Sequence, residues 1–452
     1  MKFLWLNGSV RFCVFGSCLA IGYSSAVLAA PNKISLEQAV LLAQQNDPWL
    51  KGSEYRQEAT LAESVAAGQL PDPKVSLGLA NLPVDSLDFG QEPMTQLKVG
   101  ITQVFPRGSS RKLKQRQLQE QSEQQPLMRR DRKAKVAVTV AQLWLDIFRE
   151  RESIKLIEND RMLFENLVDV AQSSYSNAYG KTRQQDLIRA QLELTRLDNR
   201  LSILHQRYDS SYVRLQEWMI SASTGQLIDF ELETALPALT LNNLDWMGDS
   251  NKKRAFQQIL LLHPSIKSLD QKIAANDTGI TLAKQQYKPQ WDFNANYGYR
   301  DNNPLGDSRS DFFSVALTFD LPLFASKRQD KTVRAAIANT EAYKTEKALV
   351  LRAMQARLEA ALANLQGLNE RSVIYQTRLL KEIHEQAEAS LTAYTNDTGD
   401  FSEVVRARID ELNAQIDSLD IDVERLKTIA QVNYFLVPSD APPTLRTEGF
   451  QP

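Results

Sequence analysis

Cysteine is nearly missing from this 452-residue chain, which has only Cys13 and Cys18. A mature chain starting near Ala30 keeps neither and needs no disulfide or thiol chemistry. Histidine is equally scarce: His205, His263 and His384 are scattered, and no His/Cys/Asp/Glu group has metal-ligand spacing, so no metal site is expected. No nucleophile accompanied by a base and no phosphate loop is present, which argues against an enzyme and against a cofactor. A charge bias is missing too: 53 Lys and Arg against 55 Asp and Glu leave a net charge of -2, and nothing points to nucleic acid. Beyond the N-terminal segment there is no run of 18 apolar residues, so a helical membrane span is excluded and any crossing must be made by strands.

Breakers are absent from two long stretches. Between Pro126 and Pro237 the only glycines are Gly180 and Gly225, and between Pro322 and Pro438 only Gly367 and Gly399. Such stretches read as helix. Their apolar residues fall in heptad steps: Val136, Val140, Leu143, Ile147, Ile154, Ile157 and Phe164 outbound, then Leu187, Ala190, Leu194, Leu197, Leu201 and Leu204 on the return. Met354, Leu358, Ala361, Leu365 and Leu368, followed by Val405, Ile409, Leu412, Ile416 and Val423, repeat the plan. An outbound arm of this length spans about 100 Å at 1.5 Å per residue, with a bend expected at Pro126. That is about three times a bilayer, and the polar faces, rich in Lys, Arg, Glu and Gln, place the arms in water.

What can cross lipid is a pair of hairpins. Trp291 to Arg300 alternates large apolar with polar or small residues, and Phe313, Val315, Leu317 and Phe319 alternate with Ser314, Ala316 and Thr318. A soluble hairpin with one buried face fits that alternation as well as a membrane one does. Pro48, Pro73 and Pro106 recur as Pro264, Pro289 and Pro322, each displaced by 216 positions. The first copy therefore holds a second hairpin. Val75, Leu77, Leu97, Val99, Trp291, Phe293, Val315 and Leu317 form the expected lipid-facing set.

The resulting division is a signal peptide at 1–29, a first repeat at 30–220, a connector at 221–250, a second repeat at 251–436 and a disordered tail at 437–452. Lys2, Arg11, the apolar run Phe12–Leu19 and Val27-Leu28-Ala29-Ala30 carry the first of these. Phe15-Gly16-Ser17 is a poor approach to lipidation at Cys18. The first repeat has strands 75–82 and 97–105 and helices 107–172 and 184–220. The second has strands 291–300 and 312–321 and helices 325–392 and 401–436. Ile34 to Ala67 and 255–286 read as helices preceding each hairpin, and 227–232 as a short strand in the connector.

Four strands cannot close a barrel, and open edges in lipid leave backbone groups without partners. Two chains would give eight strands, whose interior side chains fill, whereas three give twelve, wide enough for a passage. The fold class read from this is mainly α with a membrane β-barrel portion, a trimeric twelve-stranded barrel continued by a long α-helical barrel.

The doubled helix-strand-strand-helix-helix plan, Gly68-Gln69-Leu70-Pro71-Asp72-Pro73 before the first strand and Gln103-Val104-Phe105-Pro106 after the second resemble the TolC-like outer-membrane efflux proteins. The resemblance covers nearly the whole mature chain. Gly180, Asp186, Leu187 and Ala190 match the family's helix-turn signature; the second copy departs from it with Asp397, Glu403, Val404 and Ala407. The resemblance implies a homotrimeric outer-membrane duct in contact with lipid, its long α-helical barrel periplasmic, engaged at its tips by a periplasmic adaptor (membrane fusion protein) and an inner-membrane pump of the resistance-nodulation-division (RND) type. It also implies tips closed at rest, with Asp186 and Tyr394 at the positions of the family's acid–tyrosine lock. The family's lock arginine is replaced by Gly399, and of its two entrance acids one is kept as Glu403 while the other is Arg406. Leu70-Pro71-Asp72-Pro73 and Ala80-Asn81-Leu82-Pro83 are most similar to ducts of heavy-metal cation efflux.

Plainer roles fit the same residues. Asp186 fits a helix N-cap, Tyr394 a packed turn residue, and Glu403 a first-turn acid favoured by the helix dipole. Arg107, Arg111, Lys112 and Lys114 either solvate a helix start or face headgroups. A drug-efflux or type I secretion duct of the same fold, or a soluble periplasmic coiled-coil scaffold without a pore, are the alternative functions.

Overall fold

The structure, a computed structural model, describes residues 32–176, 184–221, 224–228, 230–242, 252–396 and 398–437. The expected signal peptide, Gly180, Asp397, the end of the connector and the tail beyond Val437 lie outside the described residues. The elements are β1 (Asn32–Ile34), α1 (Leu36–Asn46), α2 (Pro48–Gly68), β2 (Lys74–Ala80), β3 (Gln96–Phe105), α3 (Ser110–Ser176), α4 (Gln184–Gln216) and β4 (Phe230–Leu232). They continue as α5 (Lys252–Leu261), α6 (Pro264–Lys284), β5 (Trp291–Tyr299), β6 (Phe312–Phe319), α7 (Gln329–Ile374), α8 (Leu380–Thr395) and α9 (Phe401–Phe435).

The two hairpins form one antiparallel sheet in the order β2-β3-β5-β6. Its central seam joins the two halves of the chain, with Leu97 opposite Tyr299 and Phe105 opposite Trp291. The helices flanking the strands keep the same order, α2 against α3, α3 against α6 and α6 against α7. Each strand thus continues into a helix, and the sheet into a helical layer. At the junction Gly108 takes a left-handed φ of +47°, and a Cβ there would run into Gln285 and Lys288, so glycine is required where β3 turns into α3.

Two expected helices are each broken in the structure. The segment expected as one helix from Ile34 begins with a strand, β1, paired in parallel with β4 of the connector. This pairing joins distant parts of the chain and leaves no local periodicity. The remainder splits at Pro48, and the second copy splits at Pro264. Proline has no N–H to give and fits only the first turn, so each helix restarts there. Asp47 caps α2 by accepting from the Trp49 N–H at 3.0 Å, and Arg132 holds it at 2.7 Å. His263 caps α6: its Nδ1 accepts from the Ser265 N–H at 3.2 Å while Nε2–H donates to the Tyr434 carbonyl at 2.9 Å. Burial pushes this imidazole below its ordinary pKa, keeping it neutral as the cap demands.

Strand ends also differ from expectation. β2 stops at Ala80 because Asn81 turns to a φ of 56° and its side-chain amide donates to the Met94 carbonyl at 3.0 Å. β5 stops at Tyr299, since Arg300 donates to Ser310 and Pro93 carbonyls at 2.7 and 3.1 Å. α3 runs as one helix through Pro126, and α4 gives way to a 3-10 turn at Glu217.

The heptad positions form the core. Val136, Val140, Leu143 and Ile147 pack with Trp144, Leu215, Phe230 and the α9 residues Val423 and Leu426 beside the β1–β4 sheet. Ile154, Ile157, Phe164, Ala190, Leu197, Leu201 and Leu204 pack with Phe401, Val405, Leu412 and Ile416 further along. Met354, Leu358 and Ala361 pack against Phe256 and the end of α9. A five-residue π turn, Tyr375–Leu379, separates α7 from α8. The heptad slot before it is filled by a buried Ser372, whose hydroxyl donates to Asp422 at 3.1 Å.

The α6 cap yields a pH prediction. Because the folded-state pKa of His263 is depressed, its contribution is present above about pH 6.5 and is lost as the pH falls. His263→Ala is expected to cost about 1 kcal/mol of cap energy plus packing. His263→Asn keeps the cap and flattens the acid limb of thermal stability between pH 7 and 5 in detergent.

Candidate functional site

The sheet has two chemically distinct faces. Val75, Leu77, Leu97, Val99, Trp291, Phe293, Val315 and Leu317 all lie on one face and all are exposed, Val75 and Leu77 by 74% and 73%. Phe313 and Phe319 share it, and Trp291 and Phe319 rings lie 4.7 Å apart. The opposite face is built in layers across the strands: Lys74-Thr102-Asn294-Ala316, then Ser76-Gly100-Asn296-Ser314, then Gly78-Lys98-Gly298-Phe312. Asn294 donates to Thr102 Oγ1 at 2.6 Å, and Asn296 donates to Asn294, so the amides are linked along the face. A Cβ at Gly100 would meet Asn296 Oδ1 and Ser76 Oγ, so those side chains would have to turn aside to admit one. The outer edges of β2 and β6 have no strand partner among the described residues.

The basic cluster below the strands makes local contacts. Arg107 pairs with Asp320 and donates to the Gln286 and Lys288 carbonyls, each at 3.1 Å, and Arg111 donates to the Gly68 carbonyl at 3.2 Å. These contacts tie the α2 and α6 ends to the start of α3.

At the far end, the second tip turn connects α8 to α9. The Ala393 carbonyl accepts from the Thr398 and Gly399 N–H groups, both at 2.9 Å, and from Thr398 Oγ1 at 3.0 Å. Asp400 caps α9 by accepting from the Ser402 N–H at 3.0 Å. Gly399 lies so close to the helix end that a Cβ would sit 2.9 Å from Tyr394 N and 3.0 Å from the Ala393 carbonyl carbon. Tyr394 packs edge-on to Phe401, ring centroids 5.5 Å apart, within the cluster that also holds Leu187, Ala190 and Val404. The tyrosine and the first turns of α4 and α9 therefore share one apolar plug. Asp186 is buried inside the first turn of α4, past the expected cap position. Glu403 and Arg406 are exposed, three positions apart on α9.

A charged network above the tip is invisible in the sequence. Arg408, nearly buried, binds Glu411 at 2.8 Å and Glu388 at 2.6 Å, and His384 Nδ1 meets Glu411 at 2.6 Å. It clamps α8 to α9, and its partners are 20 and 27 positions apart. Such spacing gives no periodic signal. The bond to Glu411 holds His384 above the usual imidazole range, while burial, and then Glu411, push Asp160 of α3 upward.

The family model described as outer membrane efflux protein matches residues 255–433. The match spans most of the second half of the chain. No curated protein sequence matches the chain significantly. Among solved structures, the outer-membrane channel OprN is similar with a TM-score of 0.73 at 14% identity, covering 89% of both chains. CusC, described in terms of folding and transmembrane channel formation, gives 0.72 at 15% identity over 89% of this chain and 92% of its own. The Campylobacter jejuni CmeC outer membrane channel gives 0.70 at 13% identity over 97% and 96%. At these identities the structures speak for the fold. The family match adds that residues 255–433 are similar to outer-membrane efflux proteins.

Gly399→Ala forces the tip turn away from the α8 end, so amide exchange at 395–402 should rise by about tenfold or more, equivalent to about 1.4 kcal/mol of local stability, with the global melt unchanged. The His384 contribution is full below about pH 6.5 and lost as the pH rises through its raised value. Exchange along α8 should therefore quicken modestly from pH 6 to 8 after correction for intrinsic rates, and not in His384→Gln.

Proposed function

We propose that the chain assembles as a homotrimer whose twelve strands close an outer-membrane barrel continued by a periplasmic helical tube, the exit channel of a tripartite efflux pump. The observation that carries this reading is the exposed apolar face on a sheet whose two outer edges lack partners among the described residues. A four-stranded sheet with that surface is stable in lipid only when other copies complete it. In this reading Val75, Leu77, Leu97, Val99, Trp291, Phe293, Val315 and Leu317 face the acyl chains and the layered polar face lines the passage.

The division into a signal peptide, two structural repeats, a connector and a tail belongs to the same proposal and rests on the doubled order of elements. So does the tip gate: Asp186 with Tyr394 as the lock, Gly180, Asp397 and Gly399 as the turns, and Glu403 with Arg406 at the entrance. Glu403 and Arg406 offset one another there. The partners are a periplasmic adaptor and an inner-membrane pump, of the RND type in the narrower reading. Heavy-metal cations as cargo rest on the segments at 70–73 and 80–83 alone. Conduction is passive and follows movement of the tips.

The experiment is single-channel recording in planar bilayers. Asp186→Ala with Tyr394→Phe should raise conductance severalfold by loosening the apolar plug around Phe401. An unchanged closed state removes the gate assignment. Absence of channels, with a monomer in the soluble periplasmic fraction, replaces the channel by the coiled-coil scaffold.

A further inference from the structure

We infer that Lys98 makes one layer of the channel wall cationic and so biases the passage toward anionic or neutral cargo; this rests on the channel reading above. Lys98 lies on the polar face between Gly78 on β2 and Gly298 on β5, so neither neighbour in its layer offers a side chain to cover or neutralise it. It is exposed and has no ion-pair partner among the described residues. The fourth member of the layer, Phe312, carries the Arg300 guanidinium over its ring at 4.0 Å. Asp311, next to Phe312, accepts from the Arg300 N–H at 3.0 Å and from the Tyr297 hydroxyl, so it offsets Arg300 and leaves Lys98 as the cation without an acid beside it. A trimer repeats it around the wall.

The other acids that could offset Lys98 lie farther off. Asp292, on the same face, is opposite Val104 and Thr318 at the helix end of the sheet. That is three layers away, about 20 Å at 3.4 Å per residue, beyond a screening length of about 8 Å. Lys74 lies nearer to it. The loops past the layer hold Asp85, Asp88, Glu92, Asp301 and Asp307, all exposed to solvent, together with Arg309, which donates to the Gly90 and Glu92 carbonyls. Screened loop acids alter the field at the mouth, whereas Lys98 projects from the wall itself. Such a layer works against passage of a free divalent cation and so weighs against the metal-cargo reading.

With no cysteine expected in the mature chain, a single Ser76→Cys reports the field locally. Ser76 is exposed on β2 opposite Gly100, a diagonal neighbour of Lys98 at about 7–8 Å. With the full-length protein in liposomes at about 0.15 M ionic strength, where the screening length is about 8 Å, an anionic methanethiosulfonate should modify the introduced thiol about three to six times faster than a cationic one of similar size. Lys98→Gln should bring that ratio close to one and Lys98→Arg should keep it. A ratio unchanged by Lys98→Gln overturns the inference and leaves the channel standing. If the thiol introduced by Ser76→Cys reacts with neither reagent, the channel reading falls and this inference falls with it.

Discussion

Backbone groups at the two outer sheet edges impose the constraint on which the rest of the molecule depends. β2 and β6 each present a row of N–H and C=O groups to no strand among the described residues, beside a face carrying Val75, Leu77, Val315 and Leu317 in the open. In water the apolar face is costly, and in lipid the bare edges cost several kcal/mol per group. Neither solvent suits one chain alone. Joining edge to edge with other copies removes the bare groups and leaves the apolar face to the hydrocarbon.

The helices extend that logic into water. Because α2, α3, α6 and α7 follow the order of β2, β3, β5 and β6, the order set by the strands is handed on strand by helix. Gly108, Arg107 and Asp320 fix the hand-over on one side. Farther out the helices pair as coiled coils, where heptad packing replaces the strand ladder and the Arg408–Glu388–Glu411–His384 network stitches α8 to α9. The arrangement favours stiffness along the arm with adjustability at the tip. There Tyr394 and Phe401 are held by packing, and the turn depends on a single carbonyl, that of Ala393.

Much of this is legible from periodicity. The two faces of each strand and the heptad core from Val136 to Phe164 follow from periods of 2 and 3.5, which sequence displays directly. Places where the chain leaves a period are harder to read. Pro48 and Pro264 are visible as repeat markers, yet their role as helix restarts depends on caps by Asp47 and His263. β1 is hidden because its partner β4 is almost two hundred residues away. The π turn at Tyr375–Leu379 and the Arg408 network leave no local trace, since both answer to neighbouring helices. Of the tip residues, Tyr394, Gly399 and the first turn of α4 share one cluster or turn, whereas Gly180 and Asp397 lie outside the described residues. Overall neutrality, -2 over 452 residues, likewise conceals a sorted distribution: acids in the loops beyond the sheet, lysine and arginine on its outer polar layer, and paired ions along the helices. Composition alone cannot report such sorting, because the register of four strands decides which residues share a layer.

The central claim is that the free edges of one chain are completed by others. Paired cysteines at Ser76 on β2 and at Ser314, Ala316 or Thr318 on β6, oxidised in the membrane, test it most directly. Edge-to-edge closure predicts covalent dimers and trimers that stop at three chains. Cross-links confined to single chains, or none at any register in a folded protein, would contradict it.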